Sequence, residues 1–311
     1  MRILITGANG FVGQHVVAEL ANRGHEVYAC MRNKAGAFQT PVKNLIFDLS
    51  DRSMLFDVIE RSRPEGIIHL AAQSIVKEAW HDPITTLHIN TEYTLALIEA
   101  AIRFVPRAKV ITVGSGEEYG LTGKLGEPLS EEHACQPQNP YATSKLAAGQ
   151  LAMQVAHREQ LNVIHVRPFN HFGPGQSEGF VISDFASQIA RIENEKSSSV
   201  IRVGDLSARR DFTDVRDVVD AYVRLMEAEV SSGVYNVCSG IPVTIREVLD
   251  FFISHSKIPV EIQTDPSRLR KSEVPLFVGA SHKLNRATGW KPTRKFEDSL
   301  FETLEWWRRK I

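Results

Sequence analysis

Short runs of β-branched and apolar residues recur along the first half of the chain, with longer amphipathic stretches between them. Several of these runs are apolar at nearly every position, as expected for strands that are covered on both faces of a parallel sheet. Strands that alternate with helices predict a doubly wound α/β domain. The predicted strands are residues 3–6, 26–31, 44–49, 66–72, 109–114 and 162–167.

The regular alternation is lost after Arg167, where turn-forming residues enter the sequence. The later apolar segments lie among helices in no fixed order, which predicts a second, smaller, mixed α/β lobe. We expect the helix at 215–228 and the strand at 233–237 to rejoin the first sheet. The expected division is a first domain of residues 1–167 plus about 211–238, and a lobe of residues 168–210 plus about 239–311.

Composition narrows the class of protein. The 311 residues carry 36 basic and 37 acidic side chains, a net charge of −1, so no overall field attracts nucleic acid or an anionic membrane. No apolar run approaches the roughly 18 residues of a membrane span, and the chain opens directly on a strand pattern. Three widely spaced cysteines favour neither a disulfide framework nor a metal motif. We therefore expect a cytoplasmic enzyme with no metal.

The first predicted strand runs directly into a glycine pattern, Gly7, Gly10 and Gly13. A helix that begins with Phe11 and Val12 is predicted to run to about Arg23. This spacing gives a tight turn, a close backbone approach to a pyrophosphate, and close packing of helix on strand. The helix N-terminus adds amides and a partial positive charge. The pattern predicts a dinucleotide-binding turn.

The ends of the next strands supply the remaining cofactor candidates. NAD-selecting enzymes usually carry a carboxylate after the second strand, whereas this chain has Arg32, which suits a 2′-phosphate. We therefore expect NADP(H) to be preferred, with NAD(H) possible. Asp48 and Leu49, closing the third strand, are expected at the adenine. The other candidates are Leu70, Ala71, Ala72 and Asn90.

Tyr141 and Lys145 lie four residues apart on a helix that Asn139 and Pro140 are expected to start. A lysine ammonium beside a phenol favours the phenolate, so this tyrosine is expected to exchange a proton with a carbonyl or alcohol oxygen. Ser115, just after the fifth strand, is placed to hydrogen-bond the same oxygen. This arrangement predicts a carbonyl/alcohol oxidoreductase.

With the glycine turn, Ser115 and the YxxxK helix in this order, the chain resembles the extended short-chain dehydrogenase/reductases over nearly its whole length. The resemblance implies a Rossmann-type doubly wound parallel sheet, a C-terminal nucleotide-sugar lobe, and a homodimer built on a four-helix bundle that includes the YxxxK helix. It also implies that Ser115 orients the substrate oxygen, Tyr141 is the acid/base, and Lys145 holds the nicotinamide ribose.

The segments at 167–181, 209–217 and 265–274 resemble the branch that acts on GDP-mannose derivatives. This resemblance assigns Arg210 and Arg270 to the GDP pyrophosphate, Glu273 to its ribose and Asn170 to the sugar-phosphate region. Arginine forks and carboxylates suit these partners. The full set of substrate candidates is Ser115, Gly116, Glu117, Asn170, Phe180, Val181, Arg210, Arg270 and Glu273.

Within this branch the sequences of the 169–176 and 235–240 segments, together with Gly116, favour a reductase. The expected reaction is NAD(P)H-dependent reduction of the C4 ketone of GDP-4-dehydro-6-deoxy-D-mannose to GDP-6-deoxy-D-mannose (GDP-D-rhamnose). Glu117 keeps an alternative open, because it matches the glutamate with which related dehydratases remove the C5 proton. The alternatives are a GDP-mannose 4,6-dehydratase, another GDP-sugar epimerase or dehydratase, and, more distantly, a non-catalytic NAD(P)-binding sensor or scaffold.

Overall fold

A computed structural model describes residues 1–33, 38–39, 41–195, 199–266 and 273–311. Seven parallel strands form the main sheet, in the order β10-β6-β5-β4-β1-β2-β3. The sheet is the Rossmann-type doubly wound sheet that the sequence predicts. Its strands are β1 (Arg2–Thr6), β2 (Glu26–Met31), β3 (Lys43–Ile46), β4 (Gly66–His69), β5 (Lys109–Val113), β6 (Asn162–Pro168) and β10 (Gly233–Val237).

Alternate residues of the buried strands face two separate cores, as the two-residue repeat of a strand requires. Ile3 and Ile5 of β1 pack with two helices on one face, whereas Leu4 packs with three helices on the other. The first face carries α1 (Phe11–Asn22) and α8 (Val215–Glu227). The second carries α2 (Arg52–Ser62), α5 (Tyr93–Phe104) and α6 (Pro140–Glu159). Two short helices, α3 (Val76–His81) and α4 (Pro83–Leu87), pack beside α6.

The return of the chain to the first sheet is confirmed, since β10 pairs with β6 and α8 packs on α1. Two strand ends were predicted too late. The third strand ends at Ile46, because the chain turns at Asp48, whose carboxylate accepts the Ser50 N–H at 2.9 Å. The fourth ends at His69, so residues 70–72 follow the strand as a loop.

The remaining elements form smaller sheets with their own core. β9 (Arg209–Asp214) pairs with β7 (Asn170–Phe172), β11 (Pro242–Thr244) and β13 (Leu276–Phe277). β8 (Val200–Val203) pairs with β12 (Glu261–Thr264). The helices α7 (Val181–Glu195), α9 (Ile245–Ser254) and α11 (Phe296–Lys310) pack together around this core. None of the helices in the described residues is long and apolar enough to cross a bilayer.

The segment around α10 (His282–Thr288) packs differently from the rest of the expected lobe. Leu284 and Trp290 are fully buried in the core of the main sheet. The Trp290 indole donates a hydrogen bond of 2.9 Å to the Asp217 carbonyl in α8. The expected domain boundaries stay a prediction, but this segment contributes to the first core.

Asp211 joins three parts of the chain. Its fully buried carboxylate accepts the backbone N–H groups of Ser239 and Gly240 at 2.9 Å and of Gly279 at 3.2 Å, and also the Ser239 hydroxyl. One β9 side chain therefore holds the ends of two neighbouring segments.

We expect Asp211→Ala to destabilise the protein, because three backbone N–H groups lose their acceptor. An orphaned buried donor costs about 1–3 kcal/mol, so the free energy of unfolding should fall by about 3 kcal/mol or more. Urea denaturation measures this. The control is Asp250→Ala, an exposed carboxylate paired with Arg246, for which we expect less than about 1 kcal/mol. Equal losses in the two variants would contradict the assignment.

Candidate active site

The glycine turn lies where β1 passes into α1, at the carboxyl edge of the main sheet. Gly7 has a φ of 67°, and its carbonyl accepts the Gly10 N–H at 3.0 Å. A side chain at Gly7 would lie 2.8 Å from the Ala71 nitrogen, and one at Gly13 would overlap the Gly7 and Ala8 carbonyls. The turn therefore packs directly against the 70–71 loop after β4, and only glycine fits.

The N-terminus of α1 suits an anion. Gly10 at the N-cap has no capping side chain, and the first turn of α1 has no acidic residue. Amide N–H groups at such an end, together with the helix dipole, favour a phosphate. Phe11, the first residue of α1, stacks on His171 with ring centroids 6.1 Å apart. Val12 is half-buried beside it.

Arg32 lies exposed just beyond β2. Hydrogen bonds from Ser50 lower the pKa of Asp48, with a contribution from the positive charge of Arg32, so the two side chains share the region next to the glycine turn. Leu49 packs against the second core of the sheet. This region offers a cation where the sequence predicts the adenosine ribose.

Asn90 lies in a π-helical turn between α4 and α5 and is nearly fully buried. Its amide oxygen accepts the Gln73 N–H at 2.8 Å, and its amide nitrogen donates to the Gln73 carbonyl and the Ser144 hydroxyl. The side chain therefore ties the loop after β4 to α6. A contact with the cofactor stays a prediction, but a role in positioning α6 is visible.

The helix α6 begins as predicted. Asn139 is its N-cap and accepts the Ala142 N–H at 2.8 Å, and Pro140 is its first residue. Its first turns bring the phenol of Tyr141 close to the Ser115 side chain. Lys145 is buried and donates a 2.7 Å hydrogen bond to the carbonyl of Val113, the last residue of β5. The three predicted catalytic residues therefore lie together.

The expected effect of the lysine on the tyrosine is wrong for this structure. Burial raises the pKa of Tyr141 to about 12, with Glu117 and Glu118 acting in the same direction and the Ser115 hydrogen bond against it. Burial lowers the pKa of Lys145 to about 8, and Glu118 partly offsets that shift. Two nearby carboxylates and desolvation thus outweigh the ammonium, and Tyr141 is a neutral phenol at neutral pH.

Glu117 and Glu118 are adjacent but differ in surroundings. Glu117 is exposed, and Asn139 donates to its carboxylate at 3.4 Å. Glu118 is fully buried and bonds His165 and Arg167 of β6. The sequence pattern did not predict this buried cluster. Its signal is the pair of polar residues at 165 and 167, two apart on one face of a strand that is otherwise almost entirely buried.

Arg210 of β9 approaches the same site from the smaller sheets. Its guanidinium donates to the Arg209 carbonyl at 2.8 Å and the Val274 carbonyl at 3.1 Å. Burial lowers its pKa, while Glu117 and Asp205 oppose the shift. The charge of Glu117, two residues beyond Ser115, therefore acts on Arg210.

The other substrate candidates have diverse surroundings. Gly116 is buried, and a side chain there would lie 3.1 Å from the Phe169 ring. The Asn170 amide makes a long 3.3 Å contact with the Asp211 carbonyl. At the start of α7, Phe180 is exposed and Val181 is half-buried. Glu273 is largely exposed and lies 3.6 Å from the Lys124 ammonium. Arg270 lies outside the described residues.

Comparison with known proteins identifies the family of this chain. The family model described as GDP-mannose 4,6 dehydratase matches residues 4–303, and the chain belongs to that family. The chain is 38% identical over its whole length to a GDP-6-deoxy-D-mannose reductase of Pseudomonas aeruginosa, covering 98% of that protein.

Two solved structures show the same fold over the whole chain. One is RMD from Pseudomonas aeruginosa complexed with NADPH, with a TM-score of 0.87 and 37% identity, of which 99% is covered. The other is a UDP-glucose 4-epimerase of Thermus thermophilus in complex with NAD, with a TM-score of 0.88 and 28% identity, of which 100% is covered.

We expect Gly13→Ala to weaken NADPH binding at least about tenfold, because the new methyl group would push α1 away from the turn that faces the pyrophosphate. The dissociation constant can be measured by NADPH fluorescence. Ala18→Ser is the control, since it adds one atom on the exposed side of the same helix. Unchanged NADPH affinity in Gly13→Ala would contradict the predicted cofactor turn.

Proposed function

We propose that this protein reduces the C4 ketone of GDP-4-dehydro-6-deoxy-D-mannose with NAD(P)H to give GDP-6-deoxy-D-mannose. The observation that carries the proposal is the half-buried, protonated Tyr141 side chain, which lies close to Ser115 on the same helix as the buried Lys145. A neutral phenol is the protonation state that a reduction needs, because the alkoxide formed must receive a proton. The 38% identity to a GDP-6-deoxy-D-mannose reductase supports the choice of reaction.

In this proposal each residue has one task. The bound reduced nicotinamide supplies a hydride to C4 of the sugar. Ser115 donates a hydrogen bond to the ketone oxygen and polarises it. Tyr141 donates its proton to the same oxygen as negative charge develops. Lys145 holds the nicotinamide ribose. Its ammonium also stabilises the phenolate that Tyr141 becomes when it has donated its proton.

The cofactor contacts follow the carboxyl edge of the sheet. Gly7, Gly10 and Gly13, with Phe11 and Val12, receive the pyrophosphate at the start of α1. Arg32 favours NADP(H), as does the NADPH bound to the similar RMD structure. NAD(H) stays possible, since the similar epimerase holds NAD. The adenine side is assigned to Asp48 and Leu49, and the nicotinamide side to Leu70, Ala71, Ala72 and Asn90.

The GDP sugar is assigned to the elements facing Ser115. Arg210 and Arg270 bind the pyrophosphate, Glu273 the ribose and Asn170 the sugar phosphate. Phe180, Val181 and Gly116 border the sugar. Arg210 supports this assignment, because its side chain is half-buried and the charge of Glu117 acts on it. In the same proposal, residues 168–210 and about 239–311 form the nucleotide-sugar lobe and the rest forms the cofactor domain.

We expect purified wild-type protein to oxidise one NADPH for each keto sugar consumed. Tyr141→Phe should lower kcat by about 10²–10⁴-fold, because the proton donor is lost. Its NADPH dissociation constant should change by less than about twofold, since a phenyl ring fills the same space. Tyr28→Phe, distant from Ser115, is the matched control. Full turnover in Tyr141→Phe would reject the mechanism, and a wild-type protein that binds NADPH without turning over the keto sugar would favour a sensor or scaffold.

Glu117 decides between this reaction and the dehydratase alternative. A dehydratase would convert GDP-mannose to the keto sugar with release of water and no net change in cofactor. We expect the wild-type protein to leave GDP-mannose unchanged, and Glu117→Gln to retain most of the reductase turnover. Water loss from GDP-mannose that Glu117→Gln abolishes would establish the alternative. Product analysis by chromatography and NMR separates the two results.

We also propose a homodimer through a four-helix bundle that includes α6, in a reducing, cytoplasmic setting. Support for the dimer comes from apolar side chains at the surface of α3, α4 and α6, where an exposed patch indicates a partner. Ile84 is 81% exposed. The other members are Trp80, Leu87, Leu151 and Val155. Support for a reducing environment comes from the three cysteines, which form no disulfide with one another.

We expect Ile84→Asp combined with Leu151→Asp to convert the dimer to a monomer, because four buried charges would face each other across the symmetric interface. Light scattering after size-exclusion chromatography measures the mass. Ile262→Asp changes an exposed apolar residue on β12 and is the control. A monomeric wild-type protein, or a dimer that survives both changes, would refute the assigned interface.

A further inference from the structure

Glu118 has no role in the reaction proposed above, yet it is the most deeply buried carboxylate next to the candidate active site. One of its oxygens accepts the Ser115 backbone N–H at 2.9 Å and the His165 ring nitrogen at 3.1 Å. The other accepts the Arg167 guanidinium at 2.7 Å. Burial alone would raise its pKa, but His165 and Arg167 hold that pKa below the usual value, so the group is ionised.

The partners of Glu118 are themselves held from several strands. His165 bonds the Thr112 hydroxyl of β5 at 2.9 Å. Arg167 lies over the Tyr119 ring, 4.9 Å from its centroid, and donates to the Tyr119 hydroxyl at 3.2 Å. Tyr119 in turn donates to Asn236 of β10 at 2.8 Å. We call these residues, Thr112, Glu118, Tyr119, His165, Arg167 and Asn236, the Glu118 network.

Stability is a poor explanation for such a network. Desolvating two charges often outweighs their attraction, and well-packed apolar replacements of a buried ion pair are frequently neutral or stabilising. The position of the network is more informative. It joins the ends of β5, β6 and β10 directly beneath Ser115, and therefore controls where the Ser115 turn sits.

The network also sets the distance between this turn and α6. The His165 imidazole lies between Gly114, at the end of β5, and Gly149, one helical turn after Lys145. A side chain on either glycine would overlap His165. The ring therefore acts as a spacer between the element that carries Ser115 and the helix that carries Tyr141.

From this geometry we infer that Glu118 is a positioning residue, which orients Ser115 against Tyr141 through the Ser115 N–H and the His165 spacer. The inference rests on the proposed function of Ser115 and Tyr141. Glu118 itself does not touch the reacting atoms. Its loss should therefore slow the chemical step while leaving binding of the GDP sugar and NADPH intact.

Two variants test this. Glu118→Gln keeps the shape but removes the charge, and we expect kcat to fall about 10–100-fold, since small misplacements of reacting groups have effects of this size. KM for the keto sugar and the NADPH dissociation constant should stay within about twofold. The double variant Glu118→Leu with Arg167→Met removes both charges together, so that no charged partner stays buried alone. We expect it to retain the wild-type Tm while kcat stays low.

Glu193 provides a matched control. Its carboxylate accepts one backbone N–H, from Lys257 at 2.9 Å, and two bonds from Arg308, in a pair far from the active site. Glu193→Gln, and Glu193→Leu with Arg308→Met, should leave kcat unchanged whatever they do to Tm. A double variant of Glu118 and Arg167 that is stable and has the wild-type kcat would overturn the inference, as would equal losses in kcat and binding.

A second readout is independent of turnover. The groups that act on the Tyr141 phenol are Ser115, Glu117 and Glu118, and Tyr141 in turn acts on Tyr222 of α8. Since Glu118 raises the pKa of Tyr141, Glu118→Gln should lower that pKa, whereas Glu193→Gln should not. Carbon-13 NMR of labelled tyrosine follows it, with Tyr141→Phe giving the assignment.

The two readouts separate the two ideas. If the wild-type protein fails to reduce the keto sugar, the proposed function falls, and the tyrosine titration still decides the role of Glu118. A Tyr141 pKa that falls in Glu118→Gln alone is the expected result if the Glu118 carboxylate lies close to the Tyr141 phenol, and the comparison of kcat with KM then decides the positioning role. A Tyr141 pKa that is the same in wild type and Glu118→Gln refutes that placement and with it the positioning role.

Discussion

The contact between the start of α6 and the end of β5 is the constraint on which the candidate active site depends. Lys145 bonds the Val113 carbonyl, and Tyr141 lies close to Ser115, two residues further on. A helix anchored on a strand end in this way has little freedom to slide. The surrounding contacts all fix the same junction: Asn90 through Ser144, and His165 against Gly149. Rigid support of this kind is what precise positioning of reacting groups requires.

The electrostatics of this junction keep the Tyr141 phenol in its protonated form. Burial and two carboxylates keep Tyr141 protonated, while burial makes Lys145 easier to deprotonate than a surface lysine. The same triad serves oxidations and reductions in related enzymes, so the residue types alone leave the direction open. The surroundings of Tyr141 favour the protonated state that a proton donor must start from, and the exposed Glu117 and the buried Glu118 both contribute to that preference.

Much of the fold was predictable because its determinants are local. Continuous apolar runs gave the strands, three glycines gave the turn before α1, and Asn139 with Pro140 gave the start of α6. The ends of β3 and β4 were missed because apolar residues, Phe47 and Leu49 after β3 and Leu70 to Ala72 after β4, continue the pattern beyond the strands.

The pKa of Tyr141 and the Glu118 network were missed for a different reason. Spacing along α6 places Lys145 near the phenol but says nothing of burial or of carboxylates that approach from the β5 loop. The network joins residues more than 40 positions apart, such as Glu118 and His165. These residues come into contact only in the folded structure.

The packing of Trp290 has a consequence for how the protein is made. The main sheet receives its last strand at Gly233–Val237, and its core includes Leu284 and Trp290. The first strand of the sheet therefore emerges from the ribosome long before the side chains that complete its core. Most of the polypeptide must be synthesised before the cofactor half can close, so a nascent chain that stalls earlier leaves an apolar sheet face exposed to aggregation and chaperones.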